Sequence, residues 1–389
     1  MEKILLGSIA DIQTGPFGSQ LHKEDYVEEG TPIVTVEHLG NRVFTEQNLP
    51  MVSDADKERL NKYVLSEGDI VFSRVGSVDR CSYVDSDHSG WMFSGRCLRV
   101  RPYNAIYPLY LYYYFCMEST KQFVRNIAVG ATMPSINTRL MGEIEVSVPD
   151  IDTQKRIAII LSAIDNKIEL NTAINENLEQ QAYLLLEQML STPHDAVCCL
   201  SDIANINPRY TLSKGTEARY IDMSQLSTTT SFPDGWTFRA YNGGMKFKNQ
   251  DTIMARITPC LENGKTAYID FLANDEIAFG STEYIVLSPK DNIPPELLYC
   301  IVRNPDFRSY ATVNMNGSSG RQRVSGEIIG KYEIPQFTED ELAYLGSVAC
   351  PLFKQITENS LQNRNLSALR DTLLPKLMNG EIDVSAVQI

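Results

Sequence analysis

The most constraining feature of this 389-residue sequence is an internal repeat. A region with short β-like runs precedes a long stretch without Pro or Gly, and the same order begins again near residue 198. The segment SIADI at residues 8–12 returns as DIANI at 202–206, and GDIVFSR at 68–74 returns as QDTIMAR at 250–256. The helical stretches repeat 188 positions apart. Because each copy is far too large for a solenoid unit, the repeat predicts a pseudo-twofold molecule with two heads and a helical spacer.

Length and composition agree with two or three folded domains. The chain is 43% hydrophobic and 22% charged, with no apolar run long enough for a membrane span. Its first residues, MEKILLGSIADIQ, lack the long apolar core of a secretory signal. Eight cysteines occur without a C-x-x-C pair, so we expect buried, reduced thiols in a cytoplasmic protein.

Charge alone neither supports nor excludes a nucleic-acid partner. The formal net charge is −14, and no large segment of the chain is basic overall. Counterion release by a generally positive surface therefore cannot explain nucleic-acid binding. The basic residues are nevertheless clustered in two places, and an acidic protein can bind DNA through one locally basic face. These clusters are Arg74, Arg80, Arg96, Arg99 and Arg101 in the first copy and Arg321 and Arg323 in the second.

The repeat predicts four segments: head one at residues 1–150, a central long helix at 151–192, head two at 193–335 and a C-terminal long helix at 336–389. Each head is predicted to be a mixed α+β domain, mostly β. Predicted strands lie at 31–36, 69–72, 97–100 and 144–148, then at 252–254, 267–269 and 284–287. Predicted helices lie at 108–126 and 295–310. The tyrosines at 110, 112, 113 and 114 have a spacing that favours core positions over a base-stacking platform.

The two long helices carry a seven-residue apolar pattern. Its positions step by 4 and 3 from Ile157 to Met189 and again from Leu345 to Leu377. Such a seam predicts an antiparallel coiled coil rather than helices packed only on their own heads. Helices of roughly 36 residues would span about 54 Å and hold the two heads apart.

Catalytic signatures are missing from the sequence. It contains no phosphate-binding glycine loop, no nucleophile elbow, no H-E-x-x-H and no methyltransferase tetrad. Asp69 and Asp251 precede predicted strands, where turn formation or capping is the expected role. We therefore expect a protein that performs no chemistry itself and holds no cofactor or metal.

Four motifs resemble the DNA-specificity subunits of type I restriction–modification systems. They are TGPFGS at 14–19, GDIVFSRVGS at 68–77, DTIMARITPCLENGK at 251–265 and LLPKLMNGEI at 373–382. The resemblance covers essentially the whole chain in the family's order of recognition domain, helix, recognition domain, helix. One departure is VDRC at 78–81 where the second copy has ENGK at 262–265. The two heads are therefore expected to read DNA with different loops.

The resemblance implies a function and a set of partners. Each head would read one half of a bipartite, asymmetric double-stranded DNA site in the major groove. The coiled coil would set the unread spacer and bind two adenine-N6 methyltransferase subunits, which use S-adenosylmethionine. Endonuclease and translocase subunits would join through the complex, and no membrane is involved. A two-headed adaptor that binds proteins, or an enzyme with an unfamiliar site, are the alternatives.

Two loops in each head are predicted to touch DNA. The first follows the Gly-Asp-type strand, and the second precedes the long helix as residues 130–137 or 317–323. The residues predicted to bind DNA are Ser73, Arg74, Ser77, Arg80, Ser135, Asn137, Arg256, Thr258, Asn263, Lys265, Arg321, Gln322 and Arg323. The alternatives are internal salt bridges for Arg74 and Arg256 and flexible surface turns for the second loops.

Four asparagines interrupt the apolar seam at its two midpoints. In an antiparallel pair the centres coincide, so Asn171 should face Asn363 and Asn175 should face Asn359. A parallel pair would instead place Asn171 opposite Asn359. Buried seam asparagines lower stability but specify register, which here would set the distance between the heads. The alternatives are solvated asparagines, or asparagines that contact the methyltransferase.

Overall fold

The computed structural model describes residues 2–16, 18, 20–318 and 320–388. Phe17 and Ser19 of the 14–19 motif and Ser319 of the 317–323 loop lie outside the described residues. The chain divides into two compact units, Met1–Asn166 with Leu366–Ile389, and Lys167–Asn365. This division cuts both long helices, so that one segment of each helix belongs to each unit. The four-segment division of the sequence stays a prediction.

The first unit contains head one. Its strands are β1 Glu2–Leu5, β2 Ala10–Thr14, β3 Tyr26–Val27, β4 Thr31–Val34, β5 Met51–Val52, β6 Ile70–Ser73, β7 Cys81–Tyr83, β8 Met92–Phe93, β9 Cys97–Pro102 and β10 Glu145–Val148. Its short helices are α1 Leu6–Ile9, α2 Asp54–Arg59, α3 Pro108–Cys116, α4 Glu118–Ile127 and α5 Thr138–Gly142. The strands form a four-stranded sheet β2-β9-β6-β7, a second sheet β3-β5-β4-β8, and the pair β1-β10.

The second unit repeats this topology. After the long helix α6 (Ile151–Ser191), its strands are β11 Val197–Cys199, β12 Ala204–Ile206, β13 Glu217–Ile221, β14 Thr237–Ala240, β15 Lys246–Phe247, β16 Thr252–Ala255, β17 Thr266–Tyr268, β18 Ala278–Gly280, β19 Tyr284–Pro289 and β20 Glu333–Pro335. Its helices are α7 Leu200–Ile203, α8 Pro295–Arg303, α9 Pro305–Val313, α10 Gly326–Gly330 and the long α11 Glu339–Met378. The sheet β12-β19-β16-β17 matches β2-β9-β6-β7, and the pair β11-β20 matches β1-β10. The internal repeat is therefore a repeat of fold.

The central strand of each four-stranded sheet is buried on both faces. In β6, Ile70 and Phe72 belong to one apolar core and Val71 to another. In β16, Met254 and Ile253 likewise belong to two different cores. Strands covered on both faces need no polar alternation, which explains why these runs are continuously apolar.

The head helices differ from the prediction in two ways. Each predicted single helix is two helices, broken at Met117 and at Asn304, whose backbones are extended. Pro305 follows the second break, and the residue before a proline disfavours helical backbone. The tyrosines at 110, 112, 113 and 114 are buried, as the core reading expected. Phe123, within the predicted helix 108–126, is by contrast 43% exposed.

In each unit, segments of α6 and α11 pack antiparallel. In the first unit Asp165 pairs with Arg370, and Leu161 and Leu377 share one core. In the second unit Asn171 lies against Asn363, and residues further along α6 meet residues earlier on α11. The predicted antiparallel coiled coil is confirmed.

All eight cysteines are free, but their burial differs from the prediction. Cys81, Cys97 and Cys300 are buried, whereas Cys350 on α11 is exposed. None of the helices in the described part of the chain combines the length and apolar character needed to cross a lipid bilayer.

Candidate nucleic-acid interface

In head one, the two loops predicted to touch DNA lie side by side. Beyond the end of β6, Val75 forms an antiparallel bridge with Ser135. The amide of Ile136 donates to the Arg74 carbonyl at 3.0 Å, and the amide of Gly76 donates to the Pro134 carbonyl at 2.9 Å. Two loops separated by about sixty residues in the sequence therefore form one surface.

Head two builds the same pairing from a different sequence. Ile257 bridges to Arg323, the amide of Val324 donates to the Arg256 carbonyl at 3.0 Å, and the amide of Thr258 donates to the Gln322 carbonyl at 3.1 Å. We call the paired loops 74–80 and 129–137 of head one, and 256–265 and 316–325 of head two, the loop pairs. Of the second loop in head two, Ser319 is not described.

In the first loop of head one, the predicted residues are held to different degrees. Ser73 is 1% exposed and its hydroxyl donates to the Val75 carbonyl at 2.7 Å. Its hydroxyl is therefore not presented to a base edge in this structure, and its predicted contact with DNA stays a prediction. Arg74 is half-buried and donates to the Gly95 carbonyl at 3.1 Å. Ser77 and Arg80 are exposed, and the Arg80 guanidinium donates to the carbonyl of Leu39.

The second loop of head one ends in a helix cap. Asn137 is exposed, and its side-chain oxygen accepts from the amide of Leu140 at 2.9 Å, capping α5. A bidentate pair of Asn137 with adenine needs that same oxygen, so such a pair would cost the cap. The hydroxyl of the half-buried Ser135 donates to the Val129 carbonyl at 3.2 Å.

One carboxylate organises two predicted arginines of head two. Arg323 donates to Glu283 through two nitrogens, each at 2.8 Å, and the Arg256 Nε lies 3.8 Å from the same carboxylate. The hydrogen bonds from Arg323 hold the pKa of Glu283 below its usual value. The internal salt bridge considered for Arg256 is thus present. Two guanidinium groups share one carboxylate, so the group of three keeps a net positive charge.

The other predicted residues of head two range from anchored to exposed. The Lys265 ammonium donates to the Met223 carbonyl at 2.8 Å and ties the loop to a neighbouring turn. Asn263 and Arg321 are exposed, and Gln322 is half-buried. The hydroxyl of Thr258 is buried without a hydrogen-bond partner among the described residues.

The aspartates that precede the central strands act as turn caps, as expected. Asp69 accepts from the amide of Ser66 at 2.8 Å, and Asp251 accepts from the amide of Lys248 at 2.9 Å. Asp251 also accepts from the Tyr210 hydroxyl at 3.0 Å, and burial raises the pKa of Asp251 to about 6. These buried carboxylates stabilise the turns that precede β6 and β16, and they do not belong to the candidate DNA-binding surface.

The seam asparagines are paired as the antiparallel register requires. The amide nitrogen of Asn171 donates to the Asn363 oxygen at 2.8 Å, and that of Asn359 donates to the Asn175 oxygen at 2.8 Å. Asn171, Asn175 and Asn359 are buried, so they are not merely solvated. Their role in setting a DNA spacer stays a prediction.

Sequence reasoning missed two buried carboxylates on α6. Asp165 accepts from the Tyr113 hydroxyl at 2.6 Å and from Arg370 at 2.9 Å, which explains an arginine in an apolar seam. Glu179 accepts from the amide of Ser231 at 3.0 Å and from the Tyr299 hydroxyl at 2.5 Å, and burial raises its pKa. In the sequence, each of these acids directly follows an apolar position of the seam, and this placement is the signal that could have revealed them. No cluster suited to a metal ion occurs among the described residues.

Comparisons with known proteins agree on one family. Residues 1–180 match the family model of the type I restriction modification DNA specificity domain. The type I restriction enzyme HindI specificity subunit of Haemophilus influenzae is 22% identical, over 82% of this chain and 88% of that protein. The MjaIX specificity subunit of Methanocaldococcus jannaschii is 24% identical, over 73% of this chain and 71% of that protein.

A solved structure shares the fold along almost the whole chain. The S subunit of a type I restriction–modification system from M. genitalium superimposes with a TM-score of 0.63 at 16% identity, covering 97% of this chain and 95% of that one. This likeness shows that the two proteins share one fold, in which head, helix, head and helix follow one another along the chain. The matched domain and the two relatives show that the chain is similar to the specificity subunits of type I restriction–modification systems.

Proposed function

We propose that this chain is the DNA-recognition subunit of a type I restriction–modification complex, and that each head reads one half of a bipartite site. The observation that carries this proposal is the loop pair, which recurs in both heads with the same backbone pairing. The same backbone hydrogen bonds hold each pair, while the side chains at its surface differ between heads. Different donors and acceptors on equivalent backbones read different base edges, so the two half-sites would differ in sequence.

The residues proposed to touch DNA follow from exposure and charge. In head one they are Arg74, Ser77, Arg80, Ser135 and Asn137; in head two they are Arg256, Asn263, Lys265, Arg321, Gln322 and Arg323. Ser73 and Thr258 are left out because their hydroxyls are buried. Arg321 is exposed and forms no ion pair with the described residues, so it is available for a phosphate or a guanine.

The long helices would set the spacer and bind partner subunits. The paired asparagines support a single register of the coiled coil. Leu170, Ile174 and Leu184 of α6 are between 38% and 55% exposed in the second unit. Exposed large apolar side chains on a helix suit a protein partner. We propose that two methyltransferase subunits dock on the long helices and perform the chemistry, and that endonuclease subunits join through the complex.

The test is to express the full chain with the methyltransferase subunit of its own system and map methylated adenines in the host genome. One bipartite, asymmetric sequence with a constant spacer should be modified. Exchanging the exposed residues of one loop pair by alanine should change only one half of that sequence. Salt-insensitive or absent DNA binding by the assembled complex would overturn the proposal and favour a protein-binding adaptor.

A further inference from the structure

The four-stranded sheet β14-β13-β18-β15 of head two has one face in the apolar core and one face outside it. Ile221, Ala278 and Phe247, from three of its strands, belong to the core. Neighbouring residues of a strand point to opposite faces of a sheet, so the residues beside these three lie on the outer face. Across the strands, in the order of the sheet, the outer face carries Arg239, Tyr220, Phe279 and Lys246. The Arg239 guanidinium lies 4.2 Å from the centre of the Tyr220 ring.

Two lysines at the other end of this row are also held by aromatic rings. The Lys246 ammonium lies 5.1 Å from the centre of the Tyr241 ring and donates to the Tyr210 carbonyl at 2.7 Å. Lys248, two residues further along, has its ammonium 5.4 Å from the centre of the Tyr210 ring. Contacts between a cation and a ring face at such distances are attractive. Cations that are already positioned lose less conformational entropy when a partner binds.

The charge of this outer face is unbalanced. We define the basic face as Arg239, Lys246 and Lys248. Residues 237–248, which include all three, contain no aspartate or glutamate. Arg239 and Lys248 are exposed, and neither forms an ion pair with the described residues. The exposed Glu217 of β13 is offset in charge by the exposed Lys214, three residues before it. A cluster of exposed cations without ion-pair partners attracts an anionic partner.

The basic face adjoins the loop pair of head two. The amide of Gly280, at the end of β18, donates to the carbonyl of Met245, just before β15, at 2.9 Å. Three residues after Gly280, the Glu283 carbonyl accepts from the Arg256 amide at 3.0 Å, and the Glu283 carboxylate binds Arg323. The strands of the basic face and the arginines of the loop pair are therefore connected through β18 and the few residues that follow it.

The corresponding sheet of head one carries the opposite charge. Each sheet contains one parallel pair, β4-β8 or β13-β18, and ends in an edge strand on the β4 or β13 side, which is β3 in head one and β14 in head two. Residues 24–29 around β3, EDYVEE, contain four acids and no base. Glu24, Glu28 and Glu29 are exposed. Such an edge repels phosphate, so the shared fold does not require a basic surface at this place.

We propose that the basic face holds the phosphate backbone of double-stranded DNA at the half-site of head two, and that head one holds its half-site without such a face. The partner is DNA rather than an acidic protein because the basic face adjoins the arginines of the loop pair. Phosphate contacts position a protein on DNA and carry no sequence information directly. The inference rests on the proposed function in one respect, since the assembled complex must bind DNA.

The first experiment measures the salt dependence of DNA binding by the assembled complex. Changing Arg239 and Lys248 together to alanine removes two phosphate contacts and should lower the slope of log affinity against log salt by about 1.8. Changing Lys290 and Lys331 together to alanine is the matched control. Both lysines are exposed in the same unit and line a cavity elsewhere in it, so the slope should stay that of wild type. An unchanged slope for the Arg239 and Lys248 variant, or an equal fall in the control, would overturn the inference.

The methylated sequence separates phosphate contact from base reading. The variant with both Arg239→Ala and Lys248→Ala should modify the same bipartite sequence as wild type, at a rate that is lower for all sites alike, because backbone contacts do not depend on the base. Mapping of methylated adenines in the host genome gives this result. An altered or relaxed base within one half-site would identify a base contact and overturn the assignment to phosphate.

A footprint of the wild-type complex needs no substitution and does not depend on the folding of a variant. Hydroxyl-radical cleavage should show more protected backbone positions at the half-site of head two than at that of head one. The half-site whose reading Arg256→Ala impairs is the one of head two. The excess protection should disappear in the Arg239 and Lys248 variant. Equal protection of the two half-sites by the wild-type complex would contradict the inference.

Binding of the methyltransferase subunit without DNA identifies the class of partner. If the Arg239 and Lys248 variant bound that subunit more weakly and kept the wild-type salt slope on DNA, the basic face would bind an acidic protein segment, and the choice of DNA would be overturned. Failure of the proposed function gives a different result, because the wild-type complex would then show no sequence-specific methylation. Failure of this inference alone leaves wild-type methylation intact and gives the variant the wild-type slope.

Discussion

In head one, Asp69 before β6 accepts two hydrogen bonds from Arg101, at 2.6 and 2.7 Å. In head two, the matching Asp251 before β16 forms no ion pair with an arginine among the described residues, and accepts a hydrogen bond from the Tyr210 hydroxyl at 3.0 Å. Both carboxylates are buried and both cap the same turn. The two heads therefore share the turn, but its carboxylate is paired with an arginine in head one and with a tyrosine hydroxyl in head two. The heads should therefore respond differently to pH and to loss of a partner.

The pH response should separate the heads most strongly. The pKa of Asp251 is raised to about 6, so the folded head binds this proton more tightly than the unfolded chain does. Its contribution to stability is complete below about pH 4 and is lost as the pH rises through about 6. Asp251→Asn removes this titration, so the variant should gain on the order of 3 kcal/mol relative to wild type between pH 4 and pH 8.

The two tryptophans allow each head to be measured separately. Trp91 lies in head one and Trp236 in head two, so Trp91→Phe leaves a fluorescence signal that reports head two. Denaturant unfolding at pH 4 and pH 8 gives the required free energies. Asp69→Asn is the counterpart in head one and should destabilise at both values, since it leaves Arg101 without its partner. If Asp251→Asn changed the free energy of unfolding by the same amount at pH 4 and pH 8, the comparison would be contradicted.

Removal of the partner group should harm head one more than head two. Arg101→Met leaves the buried Asp69 charge uncompensated and should cost about 2–3 kcal/mol of unfolding free energy, less than for a fully buried pair because Arg101 is 38% exposed. Tyr210→Phe removes one hydrogen bond and should cost about 1 kcal/mol. Arg139→Met, at an exposed pair with Glu143, is the control and should change the free energy by less than about 0.5 kcal/mol. Equal losses in both heads would break the comparison.

The loop pairs should each govern one half-site. Arg256→Ala should reduce methylation of the cognate site by about 10-fold to 100-fold through head two's half-site, since a bidentate arginine discriminates by about 1–3 kcal/mol. Arg74→Ala should act only through the other half-site. Methylation rates on substrates with one altered half-site distinguish the two effects, with the melting temperature as control for folding. An unchanged rate for Arg256→Ala would remove it from the interface.

The salt dependence of DNA binding should differ between the second loops. Residues 130–137 contain no lysine or arginine, whereas Arg321 and Arg323 lie in the second loop of head two. Replacing both arginines by alanine should lower the slope of log affinity against log salt by about 1.8, or roughly tenfold in affinity between 50 and 200 mM salt. The measurement needs the assembled complex. An unaltered slope would mean that neither arginine contacts phosphate.

The smallest effect on stability is expected at the seam, which both heads share. Changing Asn171, Asn175, Asn359 and Asn363 together to leucine should keep or raise the melting temperature, because the amide pairs give way to apolar packing. The preferred spacer between half-sites should become less strict, as read from methylated sites. A strict spacer in a stable variant would show that the asparagines do not set register.

Much of the fold could be predicted because the relevant signals are local. The seam steps by 3 and 4, so the helices and the pairing of Asn171 with Asn363 followed from periodicity and symmetry alone. The positions of Asp69 and Asp251 before apolar runs indicated turn caps. The burial of Ser73 was not foreseen because Ser73 ends a strand that is covered on both faces, and no local sequence pattern marks the second covering layer.

The candidate surface was only partly predictable. Each loop could be chosen from its composition, but the contact of residues 74–76 with 134–136 depends on strands far apart in the sequence. Glu283 was missed since nothing near it indicates that Arg323 and Arg256 converge on it. Such pairings depend on distances across the fold, which composition and spacing do not contain.

By itself, the sequence determined the repeat, the order of head and helix, and the antiparallel register, because these follow from periodicity along the chain. Tertiary structure alone decided which loops meet, which charges are paired, and where one oxygen of Glu296 is buried without a hydrogen-bond partner among the described residues. The physical reason is that burial and hydrogen-bond satisfaction are properties of a three-dimensional neighbourhood. Two copies with the same pattern of strands can therefore pair their buried charged groups with different partners.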